Sequence, residues 1–197
     1  MSKVTIDFVS DVACPWCAVG LGGLLTAMER VKGEADVELR FRPFELNPDM
    51  PKGGQNTIER LMAKYGYDRE QVQANRKVIT ERAAAVGMRM RMAEDNRSFN
   101  TFDAHRLLHW AGLQGQASQT ALKKRLLETY HYDNQDTADA DVLARAAADA
   151  GLDEAEAREV LASGRYADEV RKEEAEWRDR GITSVPSVIL NLSLIHI

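Results

Sequence analysis

The segment Val4-Thr5-Ile6-Asp7-Phe8-Val9 alternates apolar and polar residues, and just beyond it stands Cys14-Pro15-Trp16-Cys17, which holds both cysteines of the chain. The alternation has the period of a strand. From Pro15 to about Val31 the period changes, with Leu21, Leu24, Leu25 and Met28 on one helical face. Gly20, Gly22 and Gly23 weaken that helix, whereas Pro15 suits its first turn and Lys32-Gly33 suits its end. Val37, Leu39 and Phe41 then alternate again. Strand, helix and strand in this order predict a right-handed βαβ unit on a parallel pair, with the cysteines where the strand hands over to the helix.

Two thiols at this spacing can close a disulfide with each other, and at a helix mouth the first can be held as a thiolate. The 197 residues are 44% hydrophobic and 29% charged, the balance of a soluble globular chain long enough for one sizeable core or a core with a large insertion. A net charge of −5 gives no electrostatic reason to expect nucleic acid, and the basic run Arg89-Met90-Arg91 is short and lacks stacking aromatics. No stretch nears the roughly 18 apolar residues of a membrane span, and no secretory signal is visible. The cytoplasm is the expected compartment, where a cysteine pair suggests catalysis or metal binding more than a structural cross-link.

Prolines and glycines from Pro43 to Gly54 mark a loop. Beyond it helices are expected at Thr57–Tyr65, Arg69–Val86, Thr101–Gly112, Ser118–Tyr130, Ala138–Ala150, Glu154–Ala162 and Tyr166–Arg180, with Asp153 as a cap and Gly87, Gly112 and Gly151 near helix ends. Thr183-Ser184-Val185-Pro186-Ser187-Val188-Ile189-Leu190 reads as a strand entered through a proline, with a cis Val185–Pro186 bond expected. The closing residues after Asn191 show neither a turn nor a further strand. They resemble a translated library adapter, so residues 192–197 are expected to be a non-native tail.

Ser10-Asp11 running into Cys14-Pro15-Trp16-Cys17 and Gly20, then Arg42-Pro43-Phe44-Glu45-Leu46-Asn47-Pro48, Asn100-Thr101-Phe102-Asp103-Ala104-His105-Arg106-Leu107 and Gly181-Ile182-Thr183-Ser184-Val185-Pro186, resembles the DsbA-like thioredoxin-fold oxidoreductases, in particular the FrnE-like subgroup. The resemblance implies an α/β thioredoxin-like fold with a large all-helical insertion. Residues 1–43 and 182–191 would form the core, and 55–181 the insertion and connecting helix. The family's closing strand and helix after the proline strand are expected to be missing. The activity implied is thiol–disulfide exchange, with no cofactor and no metal.

In that chemistry the first-turn amides favour the Cys14 thiolate, the attacking species, and Cys17 resolves the mixed disulfide. Pro15, Trp16, Val185 and Pro186 are expected to contact substrate, and Val185 to pair with an extended substrate chain. The DsbA archetype has Pro-His between its cysteines. Trp16 offers only bulk and an indole donor, so a weaker oxidant is expected than the archetype at about −120 mV, nearer thioredoxin at about −270 mV.

The other candidates have plainer competitors. Cys14 and Cys17 with His105 and His109 could suggest a zinc site, but the four are far from the compact spacing of a zinc finger. His105 could instead line the groove near the cysteines. Asp11 could shuttle a proton or shape the turn. Met88, Met90 and Met92 could offer an adaptable surface but read better as a small extended connection packing on the insertion, and Trp110 and Trp177 read as core.

The sequence therefore points to an oxidoreductase acting on protein thiols or small thiols such as glutathione, with no nucleic acid or membrane partner. A glutathione-dependent isomerase or transferase of the same fold is the alternative, although such relatives typically carry serine where Cys14 stands. A redox-regulated, holdase-like client-binding module is the third reading.

Overall fold

The structure, a computed structural model, describes residues 2–191 and the backbone of Ser193–Ile195. Strand β1 (Ser2–Ser10) passes through a short turn into helix α1 (Pro15–Arg30), and β2 (Ala35–Pro43) runs parallel to β1. Phe8 lies opposite Phe41 in that register, and their rings meet edge to face with centroids 6.1 Å apart. A ribbon of β3 (Gln55–Asn56) and β4 (Arg97–Ser98) brackets α2 (Thr57–Tyr65) and α3 (Arg69–Ala85). Helices α4 (Phe102–Leu113), α5 (Gln116–His131), α6 (Ala140–Asp149), α7 (Glu154–Ser163) and α8 (Ala167–Asp179) follow, then β5 (Ser187–Leu190) and β6 (Ser193–Ile195). The main sheet has the order β2-β1-β5-β6, with β5 antiparallel to β1.

Local chemistry sets most of these boundaries. Asn56 accepts from the Ile58 and Glu59 amides, Asp68 and Gln71 form a reciprocal capping box, and Asp153 accepts from the Glu156 amide as its position suggests. The β3–β4 ribbon carries no sequence period because each strand is only two residues long. Gly54 makes it possible: its φ is +69°, and a β-carbon there would lie 2.2 Å from the Ser98 carbonyl oxygen.

The chain's end differs from expectation. Asn191 takes a left-handed conformation, φ 46°, donates its amide to the Thr5 carbonyl at 2.9 Å, and accepts the Thr5 amide on Oδ1 at 2.9 Å. Asparagine tolerates this region better than most residues. The turn it makes brings Ser193–Ile195 antiparallel to β5, so a short further strand is present where none was expected. No helix follows it among the described residues, and Leu192, His196 and Ile197 of the expected tail lie outside them.

Both faces of β1 are covered. Ile6 and Phe8 pack with Ala18, Leu21, Leu39 and Phe41, while Val9 packs on the opposite face with Trp177, Ile182 and Ile189. Asp7, polar in the alternation, is buried as well, because α8 closes over that face and Arg42 donates to both Asp7 and Glu173. A second core gathers Leu107, Trp110, Leu122, Leu126, Leu143 and Val160 from α4 to α7 and takes in Val12 and Ala13 from the turn before α1. Met88 is buried in the first core and Met90 packs against it, so this connection packs on the sheet core and not, as expected, on the helical insertion alone.

Two adjacent glycines of α1 have opposite roles. A β-carbon on Gly22 would lie 2.6 Å from Val86 Cγ2 and 2.8 Å from the Val86 carbonyl oxygen, whereas one on Gly23 would meet nothing within 4 Å. Gly22→Ala is expected to destabilise the protein by about 1–3 kcal/mol through overpacking. Gly23→Ala should instead stabilise it by about 0.5–1 kcal/mol through helix propensity. Denaturant unfolding of the two variants checks the pair; equal shifts would contradict the packing.

Candidate active site

Cys14 is the N-cap of α1, with φ −90° and ψ 112°, and Pro15 occupies the first helical position. Pro15 sacrifices no helical hydrogen bond there, since first-turn amides lack intrahelical partners. The Cys14 side chain makes no capping bond. Its Sγ donates instead to the Val185 carbonyl at 3.6 Å, across a long sequence separation. The Val185–Pro186 peptide is cis and stands immediately before β5, as expected. Both cysteines are free thiols. Cys14 keeps 4% of its exposure and Cys17 none. Burial pushes the Cys17 thiol well up, and the adjacent Cys14 adds to the rise.

Beneath the dithiol lies one carboxylate. Asp11 is fully buried; its Oδ1 accepts from the Ala13 amide at 3.1 Å and the Thr101 hydroxyl at 2.8 Å and lies 3.3 Å from His105 Nε2, while Oδ2 accepts from the Leu46 amide at 2.7 Å. Burial alone would raise this carboxyl. The hydrogen bond and charge of His105, with the Leu46 amide and Thr101, overcome burial and hold it below its ordinary value. Asp11 is thus an acceptor that ties two separate segments, the loop after β2 and the start of α4, to the cysteine turn, which favours its shaping role. His131 adds a third: its ring Nε2 lies 2.9 Å from the Val12 carbonyl, so that nitrogen carries the proton and donates it.

Trp16 is 44% exposed and forms one side of an apolar cavity of about 700 Å³, lined also by Val19, Gly20, Leu24, Val185 and Pro186. The structure therefore gathers Cys14, Cys17, Pro15, Trp16, Val185 and Pro186 at one place. It does not bring His105 into that groove. His105 is 3% exposed, faces Asp11, and borders a different cleft, because α4 approaches the cysteine turn from beneath. His109, one turn further, stacks on Tyr166 at 5.1 Å. Among the described residues no group of three or more metal-binding side chains is gathered.

Three contributors escaped the sequence reading. Lys123 is fully buried and its Nζ has no hydrogen-bond partner; Thr101 and His131 hold the turn from below. Lys123 left a readable trace, since it falls in phase with Leu126, Leu127 and Tyr130 on the apolar face of α5. Thr101 lay within a motif that carries the resemblance, but nothing there pointed to Asp11, and His131 left no trace, because their partners are distant in sequence.

Residues 5–196 match the DSBA-like thioredoxin domain family, and the chain belongs to that family. It is 37% identical to a probable DsbA oxidoreductase from Streptomyces coelicolor, whose crystal structure superposes with a TM-score of 0.85 over 95% of this chain and 80% of that one. YwbO, an uncharacterised protein of Bacillus subtilis, is 25% identical over 98% of this chain and 89% of its own length. The cytosolic disulfide reductase DsbM of Pseudomonas aeruginosa shares the fold at 16% identity, with a TM-score of 0.66 over 97% of this chain and 87% of that one. The chain's α/β architecture is accordingly the DsbA-like thioredoxin fold. No helix of the described residues is long and apolar enough to cross a membrane.

Burial lowers His131 to about 4 from an ordinary value near 6.5. A depressed value means that the unfolded chain binds the proton more readily, so this contribution is complete above about pH 6.5 and is lost as pH falls toward 4. At full extent it amounts to about 3 kcal/mol. Chemical denaturation of the wild type should show stability falling across that window, and His131→Gln should flatten the fall. An unchanged slope in the variant would refute the assignment.

Proposed function

We propose that the protein is a thiol–disulfide oxidoreductase in which Cys14 forms the mixed disulfide and Cys17 resolves it. The observation that carries this reading is the dithiol at the mouth of α1. The less buried sulfur lies against the Val185 carbonyl beside an apolar groove, and its partner is sealed behind it. The thiolate is the species that attacks.

In the reducing direction the Cys14 thiolate attacks a substrate disulfide, forming one S–S bond and expelling one substrate thiolate. Cys17 loses its proton and attacks the Cys14 sulfur; the Cys14–Cys17 bond forms as the bond to substrate breaks. Two electrons pass to the substrate, whose two sulfurs leave as thiolates and take up protons from solvent. The oxidising direction runs the same steps backwards. An extended substrate segment would lie in the groove, with Trp16, Leu24 and Pro186 contacting its apolar side chains and the Val185 backbone pairing with its main chain. Cysteine-containing proteins and small thiols such as glutathione are the proposed partners, and the cytoplasm the proposed location.

Cys14→Ser should reduce turnover of a dithiol or insulin substrate to the uncatalysed background. Cys17→Ser should accumulate a mixed disulfide on Cys14, visible by mass spectrometry without reductant. Full turnover in Cys14→Ser would defeat the reading, and client binding without any turnover in the wild type would favour a holdase-like module instead.

Redox titration against glutathione tests the influence of Trp16. Its indole adds no charge beside Cys14, so the couple is expected well below the archetype's about −120 mV, toward about −270 mV. A value at or above the archetype's would show that another group sets the potential.

A further inference from the structure

Lys123 is the most anomalous side chain among the described residues. It is completely buried, its Nζ finds no acceptor to donate to, and it borders a cleft of about 490 Å³ that His105, Arg42 and Glu173 also line. A buried ammonium without partners is costly, so such a residue calls for a physical reason. Its neighbours supply one. Leu127, one turn along α5 on the same face, belongs to the apolar cluster that contains Cys14, Cys17 and Phe41, and the Lys123 Nζ lies 5.9 Å from the centroid of the Phe41 ring.

We propose that the buried ammonium of Lys123 is the counter-charge of the Cys17 thiolate during the resolving step. This rests on the exchange mechanism proposed above and adds what Cys17 needs to take part in it. Cys17 has no exposure, so its anion cannot be stabilised by bulk water. Cys14, beside it, disfavours a second negative charge, while the Lys123 charge opposes that effect. The influence is mutual: burial lowers the lysine amine, and Cys17, Asp11 and Cys14 draw it back up. On α5 itself, His131 is the other titratable neighbour, and it stays uncharged under the same burial that Lys123 experiences.

When substrate is joined to Cys14, Cys17 releases its proton to water, its thiolate forms opposite the ammonium, and attack on the Cys14 sulfur expels the substrate thiolate. That thiolate takes a proton from water, so charge and protons balance and Lys123 itself keeps its proton throughout. Lys123 acts through Cys17 and touches no substrate; it is a positioning residue.

The aromatic disulfide DTNB separates the two steps in the full-length protein. Capture by Cys14 releases one thionitrobenzoate, and attack by Cys17 releases a second. In Lys123→Met the second release should slow about tenfold at neutral pH, with its pH profile displaced upward by about one unit, while the first changes less than about threefold. Lys123→Gln, polar but uncharged, should behave alike. The dithiol form of both variants should unfold no earlier than the wild type, because an unpartnered buried charge has been removed. An unaltered second release with an unaltered profile overturns the proposal and leaves the exchange mechanism standing. Failure of both variants to fold also overturns it, since the charge would then be holding the dithiol state together. Absence of any second release in the wild type would instead defeat the exchange mechanism.

Discussion

One buried carboxylate organises the reactive end of this protein. Asp11 collects the Ala13 amide from its own turn, the Leu46 amide from the loop after β2, and Thr101 and His105 from the start of α4. A buried anion is tolerated only when its lone pairs are occupied, and here each donor comes from a segment that must be in place for the cysteines to face Val185. The same four hydrogen-bonding contacts that make ionisation possible therefore fix the turn. Neither could be obtained without the other.

The turn is held by two cores at once. Val12 and Ala13 belong to the helical core of α4 to α7, while Cys14 and Cys17 belong to the core on the sheet. The boundary between the two falls between Ala13 and Cys14, so the reactive sulfur begins where one packing environment gives way to another. Gly22 contributes from the opposite side by letting α1 settle against the Val86 backbone. An apolar groove on one face and a polar cleft beneath follow from this suspension.

Much of this was readable from the chain alone. The βαβ opening was legible because Val4, Ile6, Phe8 and Val37, Leu39, Phe41 share a strand period, and the helices because caps such as Asp153 and apolar faces recur locally. Val185 and Pro186 could be placed at the site through the family resemblance; the structure puts the Val185 carbonyl against Cys14 and Pro186 in the groove beside Trp16. His105 was drawn to the right neighbourhood but the wrong side, because a resemblance says that a residue is near and not which way it points. Asn191 and the β3–β4 ribbon were missed since a single left-handed residue and two-residue strands leave no periodic trace. Lys123 drew no notice, although its phase on α5 places it on the buried face.

The grip of the helical core on Val12 and Ala13 bears on how such a protein can be altered. A module that merely shields a reactive centre can be exchanged for another without disturbing the chemistry beneath. Here the helices furnish the wall against which the redox turn is cast, so transplanting the cysteine motif onto a smaller scaffold would carry over its letters and leave behind its mould.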